Sequence, residues 1–515
     1  MLDVTYDDWI LDNMGDLNQH YTGWLFYRQS EWHFPLGLAD GLSSSGAVSC
    51  VYTDSIPLFA LIFKLLSPLL PDTFQYIGLW GMTCYFMQGA FGMLIARRFS
   101  SNALFCMSGS MLFVTAPTVM QRMFSHEALA GQWLILSAIC IWLYYDSIRE
   151  RGKLPYILWS LECSAAVLVH MYFLPMIFMV MAAYILTDLL LTKKWRHSVR
   201  LAVISILSAA AVMWLIGAFH GGGSYAAGGL GMFNSNLNTF FNSMGFSGFI
   251  DPLPTIDYQG EGMGYLGLGT ITAVTIAAVT AVVKRKEFFG GKAGIYTITA
   301  LLLFLASFII AVSVNYSFGS TRLFTIPLPY LIKGAMSVFR ASGRFIWIAD
   351  YMFITASLAC LSRTDRKKIV SITLAACAVF QIADLWEYTR GINKKFSPEK
   401  EHSPFLSGDA IDTAAESADN IVFLPIETDY LNNMEIYFSF AEYAYDHGMT
   451  MSSFYLARSD YDSIKDYADR QGEDLLSGKG DDDALYVFLV PVDEEDYPEN
   501  VYFYDCCGYQ CARCR

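Results

Sequence analysis

YILWSLECSAAVLVHMYFLPMIFMVMAAYILTDLLL, residues 156–191, is apolar along almost its whole length and has a basic cluster on each side, at 149–153 and 193–200. As one helix it would be about 50 Å long at about 1.5 Å per residue, well beyond a hydrocarbon core of about 30 Å. It therefore reads as a hairpin of two membrane-crossing helices that turns near His170 and Pro175, with both basic ends on one side. Basic residues collect in cytoplasmic loops, so the turn at His170 faces outward.

The same rule extends along the chain. Basic loops at 97–98, 149–153, 193–200, 284–292 and 363–368 fall on alternate connections only. Ten apolar stretches lie between or beside them, at 76–96, 103–117, 128–145, 155–169, 171–191, 200–218, 264–283, 294–313, 345–361 and 369–386. Composition agrees: 54% hydrophobic and 16% charged residues is too apolar for a soluble chain of 515 residues. The expected fold is an α-helical polytopic bundle at 76–390, placed in the cell membrane.

Residues 55–70 are apolar but carry Lys64 centrally and prolines at 57 and 68, with a third just beyond at 71. Counting them as a span would invert every later loop, so they read as a helix lying on or dipping into the outer surface. Residues 1–75 then form a first outer loop, and its export calls for a transmembrane helix upstream of residue 1. Further outer segments are expected at 219–263, with HGGGSYAAGGLG, and at 314–344, with TRLFTIPLPY and FRASGR. Loops of this length are usually functional or disordered, and their aromatic content favours the former.

From residue 401 to the end there are 25 acidic and 6 basic residues, a net of −19 that leaves +5 for the rest of a chain totalling −14. This acidic part, after a polar linker near 391–404, reads as a soluble extracytoplasmic α/β domain with strands at NIVFLPI and ALYVFLVPV. Its charge argues against nucleic acid as a partner. Cys506, Cys507, Cys511 and Cys514 crowd the end without a histidine, which is a poor zinc pattern and reads more simply as an irregular terminus. No metal ligands are assigned.

Chemistry-bearing residues gather on the outer side. The segments GDLNQHYTGWLFYR (15–28), YTDSIPLFALIFKLLSPLLPDTFQY (52–76), RMFSHEALAGQW (122–133), VLVHMYFLP (167–175), YQGEGMGYLGLG (258–269) and FRASGRFIWIADY (339–351) occur in this order. Together they resemble a family of bacterial multi-spanning proteins similar in architecture to the GT-C glycosyltransferases, which use polyprenyl-phosphate sugars. The resemblance covers about residues 10–390 and its motifs mark the family rather than its reaction. It implies a GT-C-like bundle whose first outer loop bears a catalytic acid, and transfer of a sugar from a lipid carrier to an extracytoplasmic glycan or lipid-linked acceptor. This sequence departs from the paired acidic motif frequent in GT-C loops, since Asp16 stands between Gly15 and Leu17.

Inverting transfer from a lipid phosphate needs a carboxylate to take the acceptor proton and cations for the departing phosphate. Asp16 is the first choice of base, beside His20, Trp24, Tyr27 and Arg28, and Asp54 the second. Each has a bland alternative as a helix cap, Asp16 for the helix that follows it and Asp54 for IPLFALIFK. Arg340 and Arg344 suit a two-point phosphate contact, and equally suit interfacial snorkelling. Arg322 is a weaker candidate of that kind. His126, one turn after Arg122, and His170 beside Tyr172 suit a sugar hydroxyl or the phosphate, or are satisfied structural groups. Glu261 suits the acceptor or a divalent metal, or the N-terminus of the next helix. Asp350 and Glu162, inside spans, are functional suspects or interhelical pairs. A transporter or flippase, or a non-catalytic assembly scaffold, are the competing classes. A transporter would place polar groups at the midplane of repeated halves, whereas here they crowd one face.

Overall fold

The computed structural model describes residues 1–220, 229–396, 401–426 and 434–515. Gly221–Gly228 of the glycine-rich run and residues 397–400 of the expected linker lie outside them, as do residues 427–433. The described chain divides into two compact units.

The larger unit, residues 79–210 and 225–397, holds most of the apolar helices. Among the described residues six helices are long and apolar enough to cross a membrane: Ile77–Phe99, Ala103–Arg122, Phe173–Thr192, Trp195–Leu215, Gly291–Val312 and Ser342–Leu361. Lys367–Asp384 and Trp386–Lys395 add a seventh if their 44° bend is one span. The other expected spans are helices of 10–17 residues within Glu127–Leu143, Leu154–Val169 and Leu268–Val283. All ten apolar stretches are thus helical, but three are short for a bilayer of about 30 Å. The hairpin breaks where the sequence places the turn: one helix ends at Val169, His170 is extended, and the next begins at Phe173. Pro175 is accommodated in that helix's first turn, where the missing N–H costs nothing. Helix Leu268–Val283 packs on Ile346–Leu361 and Lys367–Asp384, and Phe173–Thr192 on Trp133–Leu143 and Gly291–Val312. The expected linker begins as helix, since Trp386–Lys395 is helical.

Two of the long segments between the helices of this unit are ordered by buried amides. Asn234 donates to the Val312 and Asn315 carbonyls at 2.7 Å each, and Asn236 donates to Gln259 Oε1 at 2.8 Å and to the Gly319 carbonyl at 2.9 Å. Gln259 donates to Asn234 at 3.0 Å and to Ser317 at 2.7 Å. Such a satisfied network fixes the strand hairpin Asn315–Phe318/Thr321–Thr325 on the 234–259 loop.

The smaller unit is made from residues 1–78, 211–224 and 398–515. Its centre is helix Asp16–Gln29, buried from Leu17 through Tyr27. Gly23 lets it seat on the following loop, because a Cβ there would stand 2.2 Å from Thr53 Cβ. Trp24 donates to the Phe74 carbonyl at 3.0 Å and Tyr27 to that of Leu36 at 2.6 Å. Helix Pro57–Leu66 is present, and Lys64, the charge that argued against a span there, is buried over the rings of Tyr27 and Trp32 at 4.1 and 4.8 Å.

The carboxy-terminal residues complete this unit. Strands run in the spatial order 450–451, 420–424, 484–488, 509–514, 501–506, the first three parallel and the last two antiparallel additions. Both expected strands are there. The expected irregular terminus is instead a hairpin, Val501–Cys506 with Tyr509–Cys514, whose second strand is interior to the sheet. Cys506, Cys511 and Cys514 are buried sheet residues, and no three of the terminal cysteines converge as metal ligands. Main-chain bonds from Met451 to Gly41, Ser44 to Ser452 and Ala457 to Tyr52, each 2.8–2.9 Å, join the sheet domain to the first segment.

Candidate functional site

In the larger unit, Glu261 stands on the turn Gln259–Gly262 and Arg344 on the turn Ser342–Phe345 that opens helix Ile346–Leu361. Glycine makes their meeting feasible. A Cβ on Gly343 would lie 2.5 Å from Gly262 Cα, and one on Gly262 would lie 2.5 Å from Ser235 backbone, so the two turns touch main chain to main chain. Gly343 N–H donates to the Phe233 carbonyl at 2.9 Å, and Thr239 Oγ1 donates to that of Gly262 at 2.9 Å.

Across this contact Arg122 grips Glu261 with both terminal nitrogens, each at 3.0 Å from a different carboxylate oxygen, and Arg344 Nε donates to Oε2 at 2.7 Å. Arg122 is buried, the Arg344 side chain is 12% exposed and that of Glu261 27%. Burial by itself would raise the Glu261 pKa, but the two guanidiniums outweigh it and hold the carboxyl well below its ordinary range. Two cations on one carboxylate leave an excess positive charge. Glu261 does not serve the next helix: Leu268 N–H donates to Asp384 at 2.8 Å instead.

Aromatic rings extend the cluster. The Arg344 guanidinium lies 4.5 Å from the Tyr172 ring centre, and Tyr172 Oη accepts from Ala341 N–H at 2.9 Å. Tyr172 N–H donates to His170 Nδ1 at 3.1 Å, and the His170 ring meets that of His126 edge to face at 5.3 Å. Arg122 also lies 5.6 Å from the Trp347 ring centre. Arg122, His126, His170, Glu261 and Arg344 are thus brought into one contiguous group. Arg340 stands apart, exposed, with its guanidinium 4.9 Å from the Phe233 ring, and makes no ion pair among the described residues. Asp350, one turn into its helix, is 2% exposed, and its oxygens have no hydrogen-bond partner among the described residues.

Asp16 and Asp54 belong to the smaller unit. Asp16 is the first residue of its helix rather than the cap, a position Gly15 fills, and Tyr455 Oη donates to it at 3.5 Å. Asp54 has a left-handed backbone, φ 51°, and does not cap the helix at Pro57, whose cap position is Ile56.

A family model described as "Domain of unknown function (DUF6311)" matches residues 1–386, and "DUF6311 C-terminal domain" matches 410–513. The chain belongs to the DUF6311 family. No curated protein and no solved structure matches this DUF6311 chain. Its first family region takes in every candidate named above, from Asp16 to Asp350. What sequence reasoning missed in it is the positioning layer: Tyr172 beneath Arg344, the glycine pair 262 and 343, and the amides of Asn234, Asn236 and Gln259. The signal was the repeated glycine in YQGEGMG and FRASGR, two turns that each need close backbone approach.

Proposed function

We propose that this protein is a GT-C-like membrane glycosyltransferase that moves a sugar from a polyprenyl-phosphate donor to an extracytoplasmic glycan or lipid-linked acceptor. The observation that carries the reading is the Arg122–Glu261–Arg344 cluster, built on buried Arg122, with its excess positive charge, its two histidines and exposed Arg340 in the same unit. A fixed cationic environment stabilises a leaving phosphate without reorganisation. In this reading Arg340 and the Arg344 side of the cluster meet the donor phosphate, His126 and His170 meet the phosphate or a sugar hydroxyl, and Glu261 holds both arginines in place. Asp16 takes the acceptor proton, with Asp54 the second choice; these assignments rest on chemical type. The carboxy-terminal domain is outside the cytoplasm.

The test is transfer of labelled sugar by purified protein from a panel of polyprenyl-phosphate sugars. Transfer that is abolished by Asp16→Asn while donor binding persists supports both reaction and base. A folded protein that transfers from no donor removes the reading. A transporter is the second reading, favoured by the carboxylate of Asp350 inside a span, which has no hydrogen-bond partner among the described residues. Substrate uptake into vesicles that is lost in Asp350→Asn would support it.

A further inference from the structure

Beside the arginine cluster, within the same unit, is a pocket of about 210 Å³ lined by Asn234, Asp257, Tyr258, Gln259, Asn315 and Arg322 among others. Its size falls below the roughly 300–1,000 Å³ of sites for drug-sized ligands and suits a single ring. The floor is rigid. Asn234 and Gln259 are 1% and 3% exposed and bond each other, and Asn315 donates to the Gly231 carbonyl at 2.8 Å while accepting from Thr325 at 2.8 Å.

The rim is different. Among the described residues neither the Asp257 carboxylate nor the Arg322 guanidinium makes a side-chain hydrogen bond or ion pair, although opposite charges on one small pocket would ordinarily meet. Arg322 stands on a strand in register with Ser317, next to a bulge at Tyr316/Ser317, and Ser317 Oγ is itself fixed by Gln259 at 2.7 Å. Tyr258 has a left-handed backbone, φ 66°, and is 59% exposed as a residue. A tyrosine in that conformation is strained, and such strain concentrates at binding sites. A flat aromatic face with an acceptor and a fork of donors around a shape-holding floor is the chemistry that recognises a sugar: C–H faces on the ring, hydroxyls on the charges.

We propose that this pocket is a saccharide subsite taking one sugar ring, with Tyr258 as the platform, Asp257 accepting from hydroxyls and Arg322 donating to ring substituents. The choice of a saccharide over other polyols rests on the transferase reading, and the location agrees with it. Tyr258 meets Phe233 edge to face at 5.5 Å, and Arg340 covers Phe233 at 4.9 Å, so one aromatic ring separates the platform from an exposed cation. That spacing suits a sugar and its phosphate, or an acceptor sugar next to a donor.

The experiment is saturation-transfer NMR on the full chain in nanodiscs with methyl glucoside, methyl galactoside, N-acetylglucosamine and glucuronate, repeated with Tyr258→Ala, Asp257→Asn and Arg322→Gln. All three side chains are exposed, so the variants should keep the parent unfolding temperature. Binding of at least one saccharide, weakened tenfold or more in Tyr258→Ala and in Asp257→Asn, is expected. Competition by a polyprenyl-phosphate sugar would identify the occupant as the donor sugar, and binding without competition as the acceptor; both support the subsite. No binding across the panel, or binding unchanged in both variants, overturns it. The transferase reading fails separately: saccharide binding at the pocket without transfer from any donor retains the subsite, and transfer with KM unchanged in Tyr258→Ala retains the transferase alone.

Discussion

Glu261 is the residue on which the arginine cluster depends. Removing one partner of a buried ion pair strands the other charge, at a cost of about 3–5 kcal/mol. Glu261→Gln should therefore destabilise the protein by about that amount in thermal unfolding in detergent, and more than Arg340→Ala, whose guanidinium is exposed. Arg340→Ala should instead leave stability within about 0.5 kcal/mol and raise KM for a lipid-phosphate donor. The Glu261 carboxyl is depressed in the fold, so its contribution is present above the ordinary value of 4.5 and lost as pH falls through the lower folded value. The gap between parent and Glu261→Gln should stay constant from pH 8 to 5 and narrow only in stronger acid. His402 gives the opposite sign. It is held between Glu442 and Asp12 at 2.8 Å each, and the bond to Glu442 leads in raising its pKa from 6.5 to about 9 despite burial. Stability from this clamp is complete below pH 6.5 and disappears as pH rises through about 9. A urea midpoint that falls over that window in the parent but not in His402→Gln would establish it; equal slopes would remove the clamp from the account.

Among the elements, the contact between turns 259–262 and 342–345 sets the geometry of the cluster. Alanine at Gly262 or Gly343 must push main chain from main chain, and overpacking of this kind costs about 1–3 kcal/mol. Both variants should lower the unfolding temperature, and should weaken donor binding more than Arg340→Lys does. The elements were legible in the sequence to different degrees, for physical reasons. Each apolar helix carries its own signal, so all ten stretches and the break at His170 could be read locally. Helix Trp386–Lys395 is polar, and its second half, from residue 391, passed for a linker. The terminal hairpin was hidden because its cysteines and short strands make sense only against strand Ala484–Phe488. At the site, residue types could be chosen from sequence, and Arg122, Glu261 and Arg344 are indeed together. Their arrangement could not, since the carboxylate and its arginines come from segments 139 and 83 residues away. A guanidinium read alone suggests a phosphate; only the fold reveals that Arg122 is already engaged by Glu261.

At the scale of the molecule, the first segment and the carboxy-terminal domain stabilise each other. Gln19 donates to the Tyr455 carbonyl at 2.7 Å, and Gly41, Ser44 and Tyr52 bond to residues 451–457. Deleting residues beyond 396 should leave those main-chain groups unsatisfied and open residues 30–56 to protease while the membrane helices remain protected. Protection equal to that of the full chain would mean that the first segment folds alone. The same interdependence has a temporal side. Residues 1–78 emerge from the ribosome long before residues 509–514, whose strand fills the inside of the sheet. At about 5–20 residues per second, the roughly 430 residues between them take on the order of 20–90 s to make. Throughout that interval the aromatic helix Asp16–Gln29 lacks its carboxy-terminal partner, helix Met434–His447, while one apolar helix after another is being inserted. The nascent chain thus carries an unfinished domain across the whole of membrane assembly, and its earliest segment is among the last to be completed.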